Sequence, residues 1–212
     1  MRHALRRLLG RMRRGRQIEA YLRAHDERKL QLGAADKPLA GWLNTDLHDY
    51  GRRDIVHLDV RHAFPLPDAS FDTVYSEHML EHLTYADGQR CLRECFRVLR
   101  PGGTIRIATP SLERLAHLYD GGELQQRYVS WAAGTLEPDL RAPLPGAVVN
   151  NFFRSWGHEF IYDPETLRHA LTQAGFVDIM ERPVGELERH LADQPQFNEY
   201  ETFVLEARRP AA

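Results

Sequence analysis

The residues KLQLGAAD (29–36) and four later segments decide the fold of this chain. All five segments are short and apolar, and most end in a small or acidic residue. The later four are GWLNTDL (41–47), DIVHLDV (54–60), SFDTVYSEH (70–78) and TIRIATP (104–110). Near-continuous apolar runs such as DIVHLDV are typical of strands that are covered on both faces. The helical spacing of apolar residues in GQRCLRECFRVL (88–99) predicts a helix before the last of these strands.

Strands that are separated by helices or crossovers predict an α/β domain with a doubly wound, mostly parallel sheet. Such sheets bind ligands in the crevice outside the carboxyl ends of their strands. Gly33, Asp46, Asp59 and Ser76 fall at those ends. The sequence therefore predicts a ligand site along one edge of the sheet.

The same stretch resembles the class I S-adenosylmethionine-dependent methyltransferases, in particular a small bacterial subfamily of the type 11 group. LQLGAA with GWLNTDL carries the resemblance, together with FPLPDASFDTVYSEHMLEHL (64–83) and RECFRVLRPGGTIRIATP (93–110). GHEFIYDPETLRHALTQAGF (157–176) and FNEYETFVLEARR (197–209) extend it. The resemblance implies a Rossmann-like, seven-stranded sheet with an antiparallel edge strand, S-adenosylmethionine as the cofactor, and methyl transfer as the reaction.

The resemblance also assigns roles to single residues. The methionine part of the cofactor is expected against residues 33–36, the ribose hydroxyls on Asp46, and the adenine on Asp59 and the Val60 amide. Residues 76–78 are expected near the reactive methyl group. The expected cofactor-binding residues are thus Gly33, Ala34, Ala35, Asp36, Asp46, Asp59, Val60, Ser76 and Glu77.

The first loop departs from the family pattern. Family members usually read Gly-Cys-Gly where this chain has Gly33-Ala34-Ala35, so a Cβ is present at Ala35 where bare backbone normally meets the ligand. Only 13 residues separate Gly33 from Asp46, which leaves room for one helical turn or none. These departures keep a second reading open, a cofactor-binding scaffold without catalysis.

Methyl transfer from a sulfonium is an in-line displacement in which the donor is already activated. The protein then mainly supplies proximity and orientation, with a base where the acceptor is a hydroxyl. His78 is the first candidate base and His158 the second, since imidazole titrates near operating pH. No metal is expected in this reading.

A competing motif is the His-x-x-Glu-His pattern of His78, Glu81 and His82, which also occurs in zinc peptidases. On a helix, two histidines at positions i and i+4 share one face, and the glutamate could activate a metal-bound water. A zinc hydrolase is therefore a third alternative. Cys91 and Cys95 have a similar spacing, but they share a helix face with Leu92 and Phe96 and are expected in the core. Two free thiols fit a cytoplasmic location.

Residues 111–157 break the pattern of strands and helices, and we expect a loop-rich lid that covers the acceptor site. The segment ends in NNFFRSWGHEF (150–160), whose polar and aromatic groups suit a polar organic acceptor. The expected acceptor is a small molecule or a saccharide. Nucleic acid is disfavoured because the catalytic part of the chain is acidic.

The N-terminal segment differs in charge from the rest of the chain. Residues 1–30 hold ten basic and three acidic residues, a net charge of +7, so the remainder carries −9 of the total of −2. Arginines interleaved with leucines in residues 1–16 predict a basic amphipathic helix that could touch an anionic membrane surface. We expect this helix over residues 1–26 and a methyltransferase domain over residues 27–209, with no membrane span.

Overall fold

The structure is a computed structural model that describes residues 2–48, 52–136, 139 and 141–211, with side chains from residue 12 onward. Seven strands form one sheet in the order β3-β2-β1-β4-β5-β7-β6. The strands are β1 (Lys29–Leu32), β2 (Leu43–Asp46), β3 (Ile55–His57), β4 (Phe71–Glu77), β5 (Leu99–Pro110), β6 (Val177–Arg182) and β7 (Thr202–Arg208). This arrangement confirms the expected seven-stranded, doubly wound sheet.

The first five strands run parallel, and β7 runs antiparallel to both of its neighbours. The antiparallel strand β7 lies second from the edge, with β6 outside it. Gly102 has a φ of 80°, which suits the third residue of a type II turn over residues 100–103. The turn interrupts β5 without ending it, because the pairing with β4 resumes at Thr104.

Helices flank the sheet on both sides. They are α1 (Arg2–Ala24), α2 (Tyr85–Val98), α3 (Leu112–Ala116), α4 (Glu123–Ala132), α5 (Pro145–Arg154), α6 (Pro164–Ala174) and α7 (Pro195–Glu201). The predicted helix after β4 is confirmed as α2, and its Cys91 and Cys95 are buried free thiols in the core. Asp163 begins α6 by accepting a hydrogen bond from the Thr166 amide, and Gly175 ends it with a φ of 101°.

No helix lies between β1 and β2, both of which belong to the described part of the chain. The short spacing between Gly33 and Asp46 left room for one helical turn at most, and the structure has none in this described stretch. As a result the loop after Gly33 crosses directly to β2, and the Ala34 amide donates to the Thr45 carbonyl over 3.0 Å. The ends of the two strands are therefore held side by side.

The expectation of a loop-rich region at residues 111–157 is wrong, because most of this segment is helical. It contains α3, α4 and α5, together with short 3-10 turns. Its apolar residues, among them Tyr128, Val148 and Phe152, form a second buried cluster apart from the main core between sheet and helices. Among the described residues, Gly121, Gly122 and Pro143 lie between these helices, and Pro145 begins α5.

Helix α1 packs against the main core through Ile18 and Tyr21. The Tyr21 hydroxyl donates to the Gly41 carbonyl and accepts from the Lys29 amide, which fixes the helix at the start of β1. The predicted amphipathic pattern lies mostly on side chains outside the described residues, so surface contact by residues 1–16 stays a prediction. None of the described helices has the length and apolar character needed to cross a bilayer.

Candidate active site

The carboxyl end of β1 turns sharply at Gly33, which has a φ of 67°. A Cβ at this position would lie 2.5 Å from Met79 Cγ, so the site has no room for a side chain. Glycine is thus required here for two reasons, the left-handed backbone and the close approach of Met79, two residues beyond the end of β4. The loop is held tightly between the ends of β1 and β4.

Ala35 also lies in the left-handed region, with a φ of 46°. Its amide donates to Asp46 Oδ2 over 3.0 Å, and the His48 amide donates to Asp46 Oδ1 over 2.8 Å. The half-buried Asp46 carboxylate therefore joins the first loop to the end of β2. Ala35 stands where family members usually have glycine. Its backbone conformation, which its hydrogen bond to Asp46 supports, is one that favours glycine.

Asp59 follows β3 and forms a two-point ion pair with Arg61, with contacts of 2.8 Å to both carboxylate oxygens. The Arg61 guanidinium lowers the Asp59 pKa to about 2, so the carboxylate stays ionised at neutral pH. Val60 is half-buried against the main core. Ser76 is buried in β4 opposite Leu32.

A cavity of about 430 Å³ opens at the carboxyl ends of β1 and β4. Of the expected site residues, those that line it are Gly33, Ala34, Ala35, Asp36, Glu77, His78 and His158. Asp46, Asp59, Val60 and Ser76 are not part of the lining. The cavity therefore collects the residues expected around the methionine part and the reactive methyl, while the residues expected around the nucleoside lie along the neighbouring strand ends.

The other side of the cavity is built by the helical insertion and the segment before α7. Its side chains are mainly apolar or aromatic: Tyr128, Trp131, Ala132, Leu136, Val148, Phe152, Trp156 and Leu191. Asn151 adds a polar group, and its buried Nδ2 has no hydrogen-bond partner within the described residues. Trp156 is half-exposed and has a φ of 59°, an unusual backbone for a bulky residue. This side can enclose an apolar molecule with a polar group.

His78 is held from three sides in the floor of the cavity. Its Nδ1 lies 3.3 Å from Glu81 Oε1, and its Nε2 lies 2.9 Å from the hydroxyl of Thr202. Because that hydroxyl itself donates to Asn198, it accepts from His78. The His78 ring also stacks on His190 at a centroid distance of 3.8 Å. Both ring nitrogens thus act as donors, as in an imidazolium.

The charges in this floor are coupled. Burial alone would lower the pKa of His78, but the hydrogen bond and charge of Glu81 raise it above its ordinary value. Burial would raise the pKa of Glu81, but His78 lowers it. Burial and the His78 charge lower the pKa of His190 to about 3, so this ring is neutral. The floor therefore contains a buried ion pair beside a neutral imidazole.

His158 approaches the cavity from the other side. Its Nδ1 donates to the Phe152 carbonyl over 2.8 Å, which leaves Nε2 as the nitrogen with a lone pair. Burial lowers the pKa of His158, so it is neutral at physiological pH. Its ring meets the ring of His82 edge-on at a centroid distance of 4.8 Å. His158 is therefore neutral and can accept a proton at Nε2.

The helix-face argument for His78 and His82 is wrong. The 3-10 turn Leu80–His82 excludes His78, which has a φ of 45° outside it. In the described part of the chain, His78 groups with His190 and Glu201, whereas His82 groups with Glu81 and His158. The His-x-x-Glu-His pattern therefore does not place its two histidines around one ion.

Three residues of this site had no signal in the sequence. His190, Glu201 and Tyr128 come from the segment before α7, from α7 itself and from α4, and Tyr128 donates a short hydrogen bond to Glu201. Burial raises the pKa of Glu201. Only tertiary packing brings these residues to His78, since they are 50 to 123 positions away along the chain.

Comparison with known proteins agrees with the geometry. The family model Methyltransf_11, a methyltransferase domain, matches residues 31–107. A probable S-adenosylmethionine-dependent methyltransferase of Mycolicibacterium smegmatis is 40% identical over 74 residues, which cover 30% of this chain and 28% of that protein. The ubiquinone/menaquinone biosynthesis C-methyltransferase UbiE of Vibrio cholerae is 38% identical over 79 residues, 35% of this chain and 30% of that protein. The chain thus matches under a third of the length of these curated relatives.

The fold matches over nearly the whole chain. The crystal structure of a SAM-dependent methyltransferase from Archaeoglobus fulgidus superimposes with a TM-score of 0.50 and 18% identity, and covers 96% of this chain and 94% of that one. At this identity the likeness concerns the fold, while the matched segment from β1 to β5 carries the family relationship. The match over residues 31–107 therefore supports a class I S-adenosylmethionine-dependent methyltransferase, a family whose cofactor is S-adenosylmethionine.

Proposed function

We propose that this protein transfers the methyl group of S-adenosylmethionine to a small-molecule acceptor bound in the cavity. One observation carries the proposal. A single cavity is lined on one side by the loop after β1 and the end of β4, and on the other by the helical insertion. A methyl donor on the first side and an acceptor on the second would meet near Glu77 and His78.

The cofactor would extend from this cavity along the strand ends. The backbone of residues 33–36 would hold the methionine part, and the Asp46 carboxylate, already fixed by two amides, would accept from the ribose hydroxyls. Asp59 would receive the adenine amino group beside its ion pair with Arg61. Ser76 would shape the pocket from within β4, and Glu77, whose pKa burial raises, would lie near the methyl group.

His158 is a better candidate base than His78. It is neutral, and its Nε2 is available because the Phe152 carbonyl occupies Nδ1. His78 donates through both nitrogens, so we assign it to positioning the floor of the site rather than to accepting a proton. A base is needed only where the acceptor loses a proton on methylation, as a hydroxyl does.

Of the two expected kinds of acceptor, the residues that line the cavity favour a small molecule over a free saccharide. Most side chains on the acceptor side are apolar or aromatic, and Asn151 offers one unpaired donor. Such a wall suits a molecule with an apolar body and one or two polar groups. One relative's name refers to ubiquinone and menaquinone biosynthesis, which agrees with a small-molecule acceptor. A cytoplasmic location is part of the same proposal, supported by the two buried free thiols.

The test is methyl transfer from labelled S-adenosylmethionine to a panel of hydroxylated aromatic compounds, lipophilic alcohols and free sugars. We expect turnover with an apolar acceptor, reduced by Trp131→Ala through weaker acceptor binding. His158→Gln should lower the turnover rate with little change in cofactor binding. Turnover confined to sugars would overturn the acceptor assignment, and an unchanged rate in His158→Gln would remove the proposed base.

A cofactor-binding scaffold without catalysis is the second candidate. The strained Ala35 and the short first loop favour it, because both alter the part of the site nearest the donor. Stoichiometric binding of S-adenosylhomocysteine without turnover on the whole acceptor panel would support the scaffold. Turnover on any member of the panel would exclude it.

A further inference from the structure

The cavity wall carries a group of potential metal ligands that includes His158, whose Nε2 would bind the ion in place of its proposed role as a base. Glu81, His82 and His158 each direct one ligand atom into a common space, and these three atoms lie within 4.8 Å of one another. All three residues line the cavity. We propose that they bind a divalent transition-metal ion of the zinc type.

The donor set fits such an ion. Two imidazole nitrogens and one carboxylate oxygen form the three-ligand set of open metal sites, in which the remaining positions take water or substrate. Ligands of a tetrahedral zinc are about 3.4 Å apart, given bonds of about 2.1 Å, so the three atoms need only a modest contraction. The open positions would face the cavity.

The orientation of the ligands is already set. His158 donates its Nδ1–H to the Phe152 carbonyl, the arrangement that typically fixes a metal-binding histidine with its other nitrogen toward the ion. The amides of Glu159 and Phe160 both donate to the Glu81 carbonyl, so the segment after His158 is tied to the turn that carries Glu81 and His82. The site would need little backbone movement.

Glu81 gives a second, independent indication. Its side chain is fully buried, Oε2 accepts from the Thr109 hydroxyl over 3.0 Å, and Oε1 has no hydrogen bond within the described residues other than its long contact with His78. The nearest partner of Oε1 is His78 Nδ1 at 3.3 Å. A buried carboxylate oxygen with incomplete hydrogen bonding is a suitable metal ligand. A metal ion bound there would compete with His78 for the negative charge of Glu81.

The neighbouring cluster of His78, His190 and Glu201 is less suitable, although its ligand atoms are equally close. The rings of His78 and His190 are stacked at a centroid distance of 3.8 Å with planes inclined by only 12°, so their nitrogen lone pairs lie in two nearly parallel planes and do not converge readily on one ion. Both nitrogens of His78 are also occupied by Thr202 and Glu81. We therefore assign the ion to the cluster of Glu81, His82 and His158 alone.

A metal in this position would contact an oxygen atom of a bound acceptor, and this role rests on the proposed function. The binding site itself does not, so it can be tested without turnover. The protein would be prepared without an affinity tag, stripped with chelator, and titrated with Zn²⁺ by calorimetry and with Co²⁺ by visible absorption. We expect one ion per chain and a Co²⁺ spectrum of low-symmetry coordination that includes nitrogen.

Matched histidine variants locate the ion. His82 and His169 are both exposed, so His82→Ala and His169→Ala should fold equally well. We expect His82→Ala and His158→Ala to weaken Zn²⁺ binding at least about tenfold, and His169→Ala to leave it unchanged. Absence of stoichiometric Zn²⁺ binding would overturn the proposal. So would wild-type affinity in His82→Ala, or loss of binding in His190→Ala when His82→Ala still binds.

Discussion

The two sides of the cavity are built in different ways. The cofactor side comes from strand ends within residues 29–78, held by parallel pairing and by local contacts such as that between Ala35 and Asp46. The acceptor side comes from an insertion with its own small apolar cluster, joined to the sheet by distant segments of the chain. On the proposed function, the donor position depends on the sheet, whereas acceptor choice depends on packing that can change without altering the sheet. Four substitutions test this division.

Glu81 lies where the two sides meet, so Glu81→Gln should have the largest effect. It removes the charge that compensates buried His78, and loss of one partner of a buried ion pair costs about 3–5 kcal/mol. Urea unfolding measures the change in the free energy of unfolding. Glu159→Gln is the matched control, because Glu159 is exposed on the adjoining segment and should change stability by less than about 0.5 kcal/mol. Equal effects of the two substitutions would contradict the conclusion that Glu81 compensates the charge of the buried His78.

Gly33→Ala tests the cofactor side. The positive φ and the 2.5 Å approach to Met79 Cγ should together lower the free energy of unfolding by about 2 kcal/mol and weaken cofactor binding. Gly41→Ala is the control, since Gly41 has a φ of 80° but no atom within 4 Å of the added Cβ. Equal destabilisation by both would mean that contact with Met79 contributes nothing.

Ala35→Gly should act in the opposite direction. Glycine relieves the left-handed strain of a φ of 46°, and after its own loss of chain entropy a gain of about 0.5 kcal/mol should remain. Ala34→Gly, at a neighbouring position without a positive φ, should instead destabilise by about 0.5–1 kcal/mol. Thermal unfolding of both variants measures the difference. Destabilisation by Ala35→Gly would show that the loop does not carry this strain.

Asp59 should have the smallest effect, visible mainly as a dependence on pH. Arg61 lowers the pKa of Asp59 to about 2 in the folded protein, below the ordinary value of 3.8. The pair therefore stabilises the protein above the unfolded-state pKa, and this contribution is lost as the pH falls toward the folded-state pKa. Asp59→Asn should lose less than about 0.5 kcal/mol at pH 7 and show a shallower loss on acidification. A slope equal to that of the wild-type protein would exclude this contribution.

Much of the cofactor side could be predicted from the sequence because its signals are local. The buried strands and the position of Gly33 at the end of β1 each depend on residues within a few positions. The spacing of Gly33 and Asp46 limited the connection between β1 and β2 to one helical turn or none, and the structure has none among these described residues. The involvement of Ala35 with Asp46 could not be predicted, because it depends on which strand lies beside β1.

The acceptor side was predicted less well. Proline and glycine at the joints of residues 111–157 obscured short helices that tertiary packing stabilises, since helices of this length are marginal alone. The pattern of His78, Glu81 and His82 suggested a regular helix, but the backbone turns at His78 and sends its ring toward His190. His190, Glu201 and Tyr128 join the site only through long-range contacts. A single sequence contains no periodic pattern that predicts such contacts.

Calorimetric titration with S-adenosylhomocysteine tests the division of the cavity most directly. The measurement compares the wild-type protein with Asp46→Ala on the cofactor side and Trp131→Ala on the acceptor side. We predict that the wild-type protein binds, that Asp46→Ala loses binding, and that Trp131→Ala keeps the wild-type affinity. Absence of binding to the wild-type protein, or equal losses in both variants, would contradict the account.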